Sequence, residues 1–250
     1  MTFVVEERDR ARERVLELAA GDPRVVAAAE VGSLAQGGGD RWSDLDLTFG
    51  VSDDAPVVEV LEEWTRLLAD QLGAVRLFDL PRASTIYRVF LLPGLLQLDV
   101  SFTPAAEFGA AGPAFRLLFG SAVEKPHAPP PDAREAFGLA VHHALRARFC
   151  IERGRYWQAE YWISGVRDQA LALACLRREL PAWYGRGFDD LPAEVLGDFA
   201  GALARSLERD ELLRALGEAV AGLQRESGQV TELAAQVEPQ LRELTAEWGR

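Results

Sequence analysis

The spacing of apolar residues changes several times along the first half of the chain, and each change predicts a new element. Two segments repeat apolar residues at the helical period, Glu6 to about Ala20 and Pro56 to Leu72. Five shorter segments are continuously apolar or alternate apolar with polar residues, as strands do. They are 25–31, 45–51, 75–80, 86–92 and 95–102. Pro93 and Gly94 form a turn signal between the last two, so we predict an antiparallel hairpin there.

The second half of the chain shows helical spacing only. It begins after KPHAPPPD, residues 125–132, a proline-dense segment that is typical of an extended spacer between domains. We therefore predict two domains, 1–125 and 126–250. Helical spacing then covers four segments, of which the last is interrupted near Ser227 and Gly228. They are 133–151, 155–180, 192–206 and 209–247. The whole pattern predicts an α+β protein in which a helical bundle follows a domain of strands and helices.

Two aspartates lie two residues apart at the start of a predicted strand. Because alternate side chains leave the same face, Asp44 and Asp46 are separated by about 7 Å of strand rise. Two close negative charges are costly unless a cation lies between them, and hard carboxylate oxygens favour Mg²⁺. Asp99 provides a third carboxylate on another predicted strand, where Leu98 and Val100 point the opposite way. Three convergent acids can hold two ions.

Gly32 and Ser33 lie where a predicted strand gives way to a short helix. A glycine lets the backbone approach a ligand closely, and a serine hydroxyl with the first helical N–H groups offers donors to an anion. The only lysine, Lys125, has no glycine-rich loop before it, which excludes a Walker-A phosphate loop and a kinase-type lysine. A phosphate-binding cation must therefore be an arginine.

Charge and composition narrow the function classes further. The chain has 27 Lys and Arg against 39 Asp and Glu, a net charge of −12, which argues against a general nucleic-acid binder. The longest apolar stretches are broken well before the ~20 residues that a membrane span needs, and the beginning of the sequence lacks the pattern of a signal peptide. Cys150 and Cys175 fit neither a four-ligand zinc site nor a disulfide framework, and we expect two buried small side chains. These features lead us to expect a cytoplasmic protein without a membrane partner.

The order Gly32-Ser33, ten intervening residues, Asp44-Leu45-Asp46 and then Asp99 on a later strand resembles the polymerase-β-like nucleotidyltransferase superfamily. The resemblance covers residues 20 to 105 approximately and implies a mixed sheet with helices. It implies that Gly32 and Ser33 hold a triphosphate and that Asp44 and Asp46 bind Mg²⁺. Asp99 would complete the metal site or act as the general base. The cofactors implied are two Mg²⁺ ions, with ATP as co-substrate.

One part of the sequence departs from the family pattern. The family often has an Arg-Gly step where this chain has Gly37 to Gly39, and Arg41 is the candidate that replaces it as a nucleotide-binding residue.

A catalytic domain followed by a helical bundle resembles the branch of the superfamily that adenylylates aminoglycosides or lincosamides and confers antibiotic resistance. In that branch the helices wall off the acceptor site. Trp157, Glu160 and Arg167 are therefore candidate acceptor contacts, since Glu160, Ser164 and Arg167 share one stripe of a predicted helix with Tyr161 beside it. The alternative is that Trp157, Tyr161 and Trp162 belong to the core and that Glu160 and Arg167 form an ordinary surface or interhelix pair.

The first hypothesis is transfer of AMP from ATP to a hydroxyl of a small molecule, an aminoglycoside-like antibiotic, with release of pyrophosphate. The alternatives are an unidentified metabolite as acceptor and a partner protein modified in the manner of an antitoxin. The helical ribonuclease partners of such antitoxins have Arg, four to six residues, then His, whereas His142 and His143 follow Arg134 at a longer spacing. A catalytically dead protein is disfavoured by the complete aspartate set. A homo-oligomer stays open, because some members share active sites between protomers.

Overall fold

The computed structural model describes residues 2–127 and 129–246, and the chain divides into two compact units, Met1–Ala128 and Pro129–Arg250. The division falls inside the proline-rich segment from which the sequence predicts a domain boundary.

The N-terminal unit is built around a six-stranded mixed sheet. Its strand order is β3-β4-β5-β2-β1-β6, in which β2 and β5 are parallel and the other neighbours are antiparallel. The elements in chain order are α1 (Val5–Gly21), β1 (Val25–Val31), α2 (Gly32–Ala35), β2 (Leu45–Val51), α3 (Val57–Leu72), β3 (Val75–Arg82), β4 (Thr85–Leu92), β5 (Leu96–Pro104) and β6 (Phe115–Phe119).

The core of this unit lies on the sheet face that carries α1 and α3. Alternation along β2 sends Leu45, Leu47 and Phe49 to this face, where each is at most 1% exposed. Phe49 packs against Trp64 of α3 and Phe102 of β5, with ring centroids 5.1 and 5.2 Å apart. Such aromatic contacts add about 0.5–1.5 kcal/mol each to the burial of apolar area. Residues between these positions point to the opposite face, which we call the open face.

The C-terminal unit is helical, as the sequence predicts. Its helices are α4 (Ala133–Glu152), α5 (Tyr156–Leu176), α6 (Ala193–Ala200), α7 (Arg209–Arg225) and α8 (Thr231–Thr245). A stripe of buried alanines on α4 lets α5 pack closely against it: Ala136, Ala140, Ala144 and Ala147. Cys150 and Cys175 are buried and free, which confirms the expected small buried side chains. The α+β class, with a mixed sheet first and helices after it, is confirmed.

The sequence pattern misses one strand and misplaces several helix ends. β6 is not predicted, because FRLLF is short and its burial does not alternate. The second and third predicted helices of the C-terminal unit end early, at Leu176 and Ala200, and the interruption near Ser227 separates α7 from α8. Residue 247, the predicted end of the last helix, lies outside the described residues. In the described part of the chain, no helix is both long and apolar enough to cross a membrane.

Asp22 ties the end of α1 to α3. Its carboxylate accepts hydrogen bonds from the Arg24 side chain at 2.9 Å and from Trp64 Nε1 at 2.9 Å. The hydrogen bonds of the Arg24 side chain are the main cause that lowers the pKa of Asp22 from 3.8 to about 2, against the opposing effect of burial. The ionised form is therefore favoured in the folded state.

We predict that Asp22→Asn destabilises the fold by about 1–2 kcal/mol at neutral pH. Because the folded-state pKa is depressed, this contribution is fully present above pH 4 approximately and is lost as the pH falls through about 2. Urea unfolding of both proteins, followed by tryptophan fluorescence from pH 7 to pH 3, measures the difference. A difference in unfolding free energy that stays constant down to pH 3 would contradict the assignment.

Candidate active site

The site is built on the two parallel strands at the centre of the sheet. Asp46 of β2 and Asp99 of β5 are directly paired in the register. Neighbouring strands are about 4.8 Å apart, and paired residues share a face, so both carboxylates leave the open face side by side. Their neighbours Leu45, Leu47 and Leu98 point into the core on the other side and hold both strands in register.

Asp44 completes a cluster of three carboxylates, which we call the aspartate cluster. It lies one residue before β2 rather than in the strand, contrary to the sequence-based prediction. One carboxylate oxygen from each of Asp44, Asp46 and Asp99 lies within 4.8 Å of the other two, and all three residues are partly buried. Hard oxygen donors at this spacing match the ligands that Mg²⁺ takes in proteins.

The electrostatics of the cluster favour a bound cation. Burial raises the pKa of the Asp99 carboxyl, and the negative charge of Asp44 raises it further. A hydrogen bond from Gln97 Nε2, at 3.0 Å from Asp99 Oδ1, lowers the same pKa and keeps the carboxylate oriented. Closely placed carboxylates therefore repel one another, and a divalent ion would relieve that repulsion.

Gly32 brings the end of β1 against the aspartate cluster on the open face. Its φ is +73°, in the left-handed region that favours glycine, and its N–H donates to Ala114 O at 3.2 Å. A Cβ at this position would lie 2.3 Å from Asp46 Oδ2, so any larger residue would displace this carboxylate. Ser33 follows in the first turn of α2 and is exposed. The predicted phosphate-binding backbone thus lies directly beside one predicted metal ligand.

Arg41 lies in the loop between α2 and β2, three residues before Asp44. Its guanidinium stacks on the exposed Trp42, with Cζ 4.0 Å from the ring centroid. This contact leaves the guanidinium at the surface, and a role in triphosphate binding remains a prediction.

Arg8 is a residue of this region that the sequence analysis misses. Although it lies on α1, its side chain is almost fully buried, and Nη1 donates to Asp40 O at 2.6 Å and to Ser43 O at 3.3 Å. The Asp40 carboxylate in turn accepts from the backbone N–H of Trp42 at 2.8 Å. Arg8 therefore fixes the turn that delivers Asp44. The only sequence signal for this role is that Arg8 lies on the same face of the predicted helix as the apolar residues Ala11, Val15 and Ala19.

The acceptor residues predicted on α5 lie on one face of that helix, within the C-terminal unit. Trp157 is 81% exposed and Tyr161 is 66% exposed, so neither belongs to the core, whereas Trp162 is partly buried and packs against it. Glu160 accepts a hydrogen bond from Ser164 Oγ at 2.7 Å, whereas Arg167 pairs with Asp168 at 3.0 Å. Glu160 and Arg167 thus have different partners, and the alternative of an ion pair between them is wrong as well.

A separate cavity of about 570 Å³ opens in the N-terminal unit. It is lined by residues at the start of α1 and around the β4–β5 turn, among them Phe3, Arg10 and Pro93, and by none of the three aspartates. Its one cation, Arg10, lies with Glu7 in the same lining, and no second cation of the described residues accompanies it there.

Comparison with protein-family models gives no match, and comparison with curated proteins gives none either. Among solved structures, the chain is similar to an aminoglycoside 6-adenyltransferase from Bacillus subtilis. The TM-score is 0.40 at 13% sequence identity, over 96% of this chain and 99% of that one. Because both values are low, the functional interpretation depends on the geometry of the aspartate cluster and not on this likeness.

We predict that Gly32→Ala weakens metal binding, whereas Gly37→Ala does not. Gly37 has a similar φ of +71° but open space around it, so the two variants share the backbone strain and differ in the contact with Asp46. Each should lose about 1–2 kcal/mol of stability from the strained φ. Mn²⁺ binding, measured by electron paramagnetic resonance, should fall only in Gly32→Ala. Equal Mn²⁺ affinities in the two variants would overturn this interpretation.

We also predict that Arg8→Met lowers Mn²⁺ affinity about 10- to 100-fold, the range typical of groups that orient metal ligands. The matched control is Arg14→Met on the same helix, since Arg14 donates to Gln71 Oε1 at 2.6 Å and makes no contact with the loop before Asp44. The control should bind Mn²⁺ as the wild type does, and Arg8→Lys should restore part of the affinity. A folded Arg8→Met protein with wild-type affinity would show that Arg8 does not position Asp44.

Proposed function

We propose that this chain is a nucleotidyltransferase that moves AMP from ATP to a hydroxyl group of a small molecule and releases pyrophosphate. The observation that carries the proposal is the convergence of Asp44, Asp46 and Asp99 beside the backbone of Gly32. Metal ligands and phosphate donors then face the same space, which is the arrangement that an in-line attack on a nucleoside triphosphate requires.

The residues of the cluster fit a divalent ion, Mg²⁺ in the first place. The donor set consists of carboxylate oxygens only. Burial first, and the charge of Asp44 after it, raise the pKa of Asp99, and a dication would relieve the repulsion between these carboxylates. Asp44 and Asp46 would hold the ions, with Asp99 as a further ligand. A bound ion would neutralise the negative charge that develops on the phosphate oxygens and on the leaving pyrophosphate.

The chain's own groups position the two reactants. The backbone N–H groups after Gly32 and the Ser33 hydroxyl are donors for the triphosphate, and Arg41, in the loop that leads to Asp44, is the candidate cation beside them. The acceptor oxygen attacks the α-phosphorus while the bond from this phosphorus to the α–β bridging oxygen breaks, so the electron pair leaves with pyrophosphate. Asp99 is the carboxylate placed to accept the acceptor's proton, in addition to or instead of binding metal.

The acceptor that we propose is a polyhydroxylated amine of the aminoglycoside type. A net charge of −12 steers a cation toward the protein and repels nucleic acid. On α5 the exposed Trp157 and the neighbouring Glu160 offer an aromatic surface and a carboxylate, which suit such a ligand. Arg167, paired with Asp168, contributes little positive charge of its own to this surface. Trp157, Glu160 and Arg167 are therefore the acceptor contacts to test.

Purified protein is incubated with ATP, Mg²⁺ and each member of a panel of aminoglycosides and lincosamides. We predict that pyrophosphate is released only when one particular acceptor of the panel is present. Asp44→Asn and Asp46→Asn should each lower kcat/KM on the order of 10³-fold, because metal-ion stabilisation of a transition state is worth several kcal/mol. The control is Asp54→Asn, which removes an equal charge from an exposed turn after β2.

Mass spectrometry of the product should show the acceptor plus one AMP. If ATP and Mg²⁺ bind but no acceptor in the panel is modified, the antibiotic acceptor is wrong and the search moves to metabolites and partner proteins. If Asp46→Asn and Asp54→Asn are equally active, the aspartate cluster is not the catalytic centre.

A further inference from the structure

The C-terminal unit contains a cavity of its own, which we call the α5 pocket. Its volume is about 410 Å³, within the range of small-molecule sites in proteins. Asp168 and Gln169 of α5 line one side, and the loop 182–188 lines another. Asp168 follows Glu160 by eight residues on α5, about 12 Å of helix rise, so the pocket lies apart from Glu160 and Trp157.

Aromatic side chains form much of the loop side of the pocket. Trp183 is 52% exposed and Tyr184 is 85% exposed, with their ring centroids 6.3 Å apart. Phe188 also lines the pocket, but it packs against the apolar core of the unit as well. The rings of Trp183 and Tyr184 thus line a cavity while much of their area is in contact with solvent.

The backbone holds Tyr184 in a conformation that a tyrosine rarely adopts. Its φ is +58°, in the left-handed region, and Gly185 follows with a φ of +73°. The backbone N–H groups of Arg186 and Phe188 donate to Trp183 O at 3.2 Å and to Gly185 O at 3.0 Å, which fixes the turn. Strained residues of this kind cluster at ligand-binding sites, and here the strain presents an aromatic ring to a cavity.

The helix side of the pocket supplies hydrogen-bond acceptors and a negative charge. Asp168 Oδ1 accepts hydrogen bonds from Arg167 Nη2 at 3.0 Å and from Arg167 Nε at 3.2 Å. Among the residues that the structure describes, none donates to Asp168 Oδ2 and none bonds to the side-chain amide of Gln169. A carboxylate oxygen and an amide oxygen are therefore available to a ligand that lies beside the aromatic rings.

These groups match the chemistry of a protonated amine on an apolar body. An ammonium group donates hydrogen bonds to oxygen acceptors and is attracted to the faces of aromatic rings. An anion would be disfavoured, because Asp189 and Asp190 outnumber Arg186 on the same loop and the chain carries a net charge of −12. Aromatic side chains also contribute a large apolar contact area.

We infer that the α5 pocket binds a small molecule that carries one protonated amine on an apolar body. The ammonium group lies at Asp168, and the apolar body lies against Trp183 and Tyr184. The inference does not rest on the proposed function, because none of the three aspartates of the cluster lines this pocket. It gives the strained Tyr184 and the unpaired oxygen of Asp168 a common role.

The probe that we propose is 2-phenylethylamine, compared with 2-phenylethanol, which has the same ring and chain without the charge. NMR titrations of the full chain, without ATP or Mg²⁺, follow the indole N–H signal of Trp183, identified by its absence in Trp183→Phe. The amine should shift this signal saturably and bind about tenfold more tightly than the alcohol, since a hydrogen bond to a charged group is lost in the alcohol. 2-Deoxystreptamine, an amine with a hydroxylated body, should leave the signal unchanged.

Asp168→Asn should remove the preference for the amine, because the amide keeps the shape of the side chain without its charge. The matched control is Asp198→Asn. Asp198 lies outside the pocket lining, pairs with Arg225 at 3.4 Å, and has a side chain 59% exposed against 52% for Asp168. The control should bind the amine as the wild type does.

Tyr184→Gly separates a role in binding from a role in stability. It should weaken amine binding about threefold or more, as expected for loss of an exposed cation–π contact. It should not lower the melting temperature, because glycine adopts a positive φ without strain and the missing ring is 85% exposed. A ring that only stabilises the fold would give the reverse, a lower melting temperature with unchanged amine affinity.

Four results would overturn the inference. Equal affinities for the amine and the alcohol would show that the pocket does not recognise charge, and a Trp183 signal that does not respond to the amine would place the amine elsewhere. An equal loss in Asp168→Asn and Asp198→Asn would show only general attraction to an acidic protein. A shift with 2-deoxystreptamine as large as that with the amine would make the pocket part of the acceptor surface. The nucleotidyl-transfer assay judges the proposed function separately.

Discussion

The parallel pairing of β2 with β5 is the constraint on which the rest of the site depends. It places Asp46 opposite Asp99 at one strand spacing, with the core residues Leu47 and Val100 paired on the next step. Like charges directly opposite each other in a sheet are destabilising. The packed core behind the strands holds this arrangement in place, and the divalent ion that we propose would offset the repulsion.

The surrounding elements add to the same arrangement from different parts of the chain. Gly32, at the end of β1, gives room to the Asp46 carboxylate because it has no Cβ. Arg8 reaches from α1 to the carbonyls of Asp40 and Ser43 and so holds the turn before Asp44. A strand end, a helix and a loop thus position the three carboxylates: Gly32 leaves space for Asp46, and Arg8 holds the loop before Asp44.

Local pattern was sufficient to predict the elements that carry the chemistry, because the alternation of β2 and the spacing of α3 follow directly from burial on one face. It also predicts the aspartates, since Asp99 interrupts an apolar run. Sequence does not reveal the register that pairs Asp46 with Asp99, which depends on tertiary packing. Arg8 is hidden for the same reason, because its contacts with Asp40 and Ser43 form only when distant segments meet. β6 is too short to show a period.

The central claim is that Asp44, Asp46 and Asp99 together bind the metal that activates a nucleotide beside Gly32. The most direct measurement is a crystal structure of the protein soaked with Mn²⁺ and a non-hydrolysable ATP analogue, with anomalous scattering recorded at the manganese edge. We expect anomalous peaks within coordination distance of the three carboxylates, with the triphosphate against the backbone after Gly32. A nucleotide bound elsewhere, or manganese that avoids these carboxylates, would contradict the account.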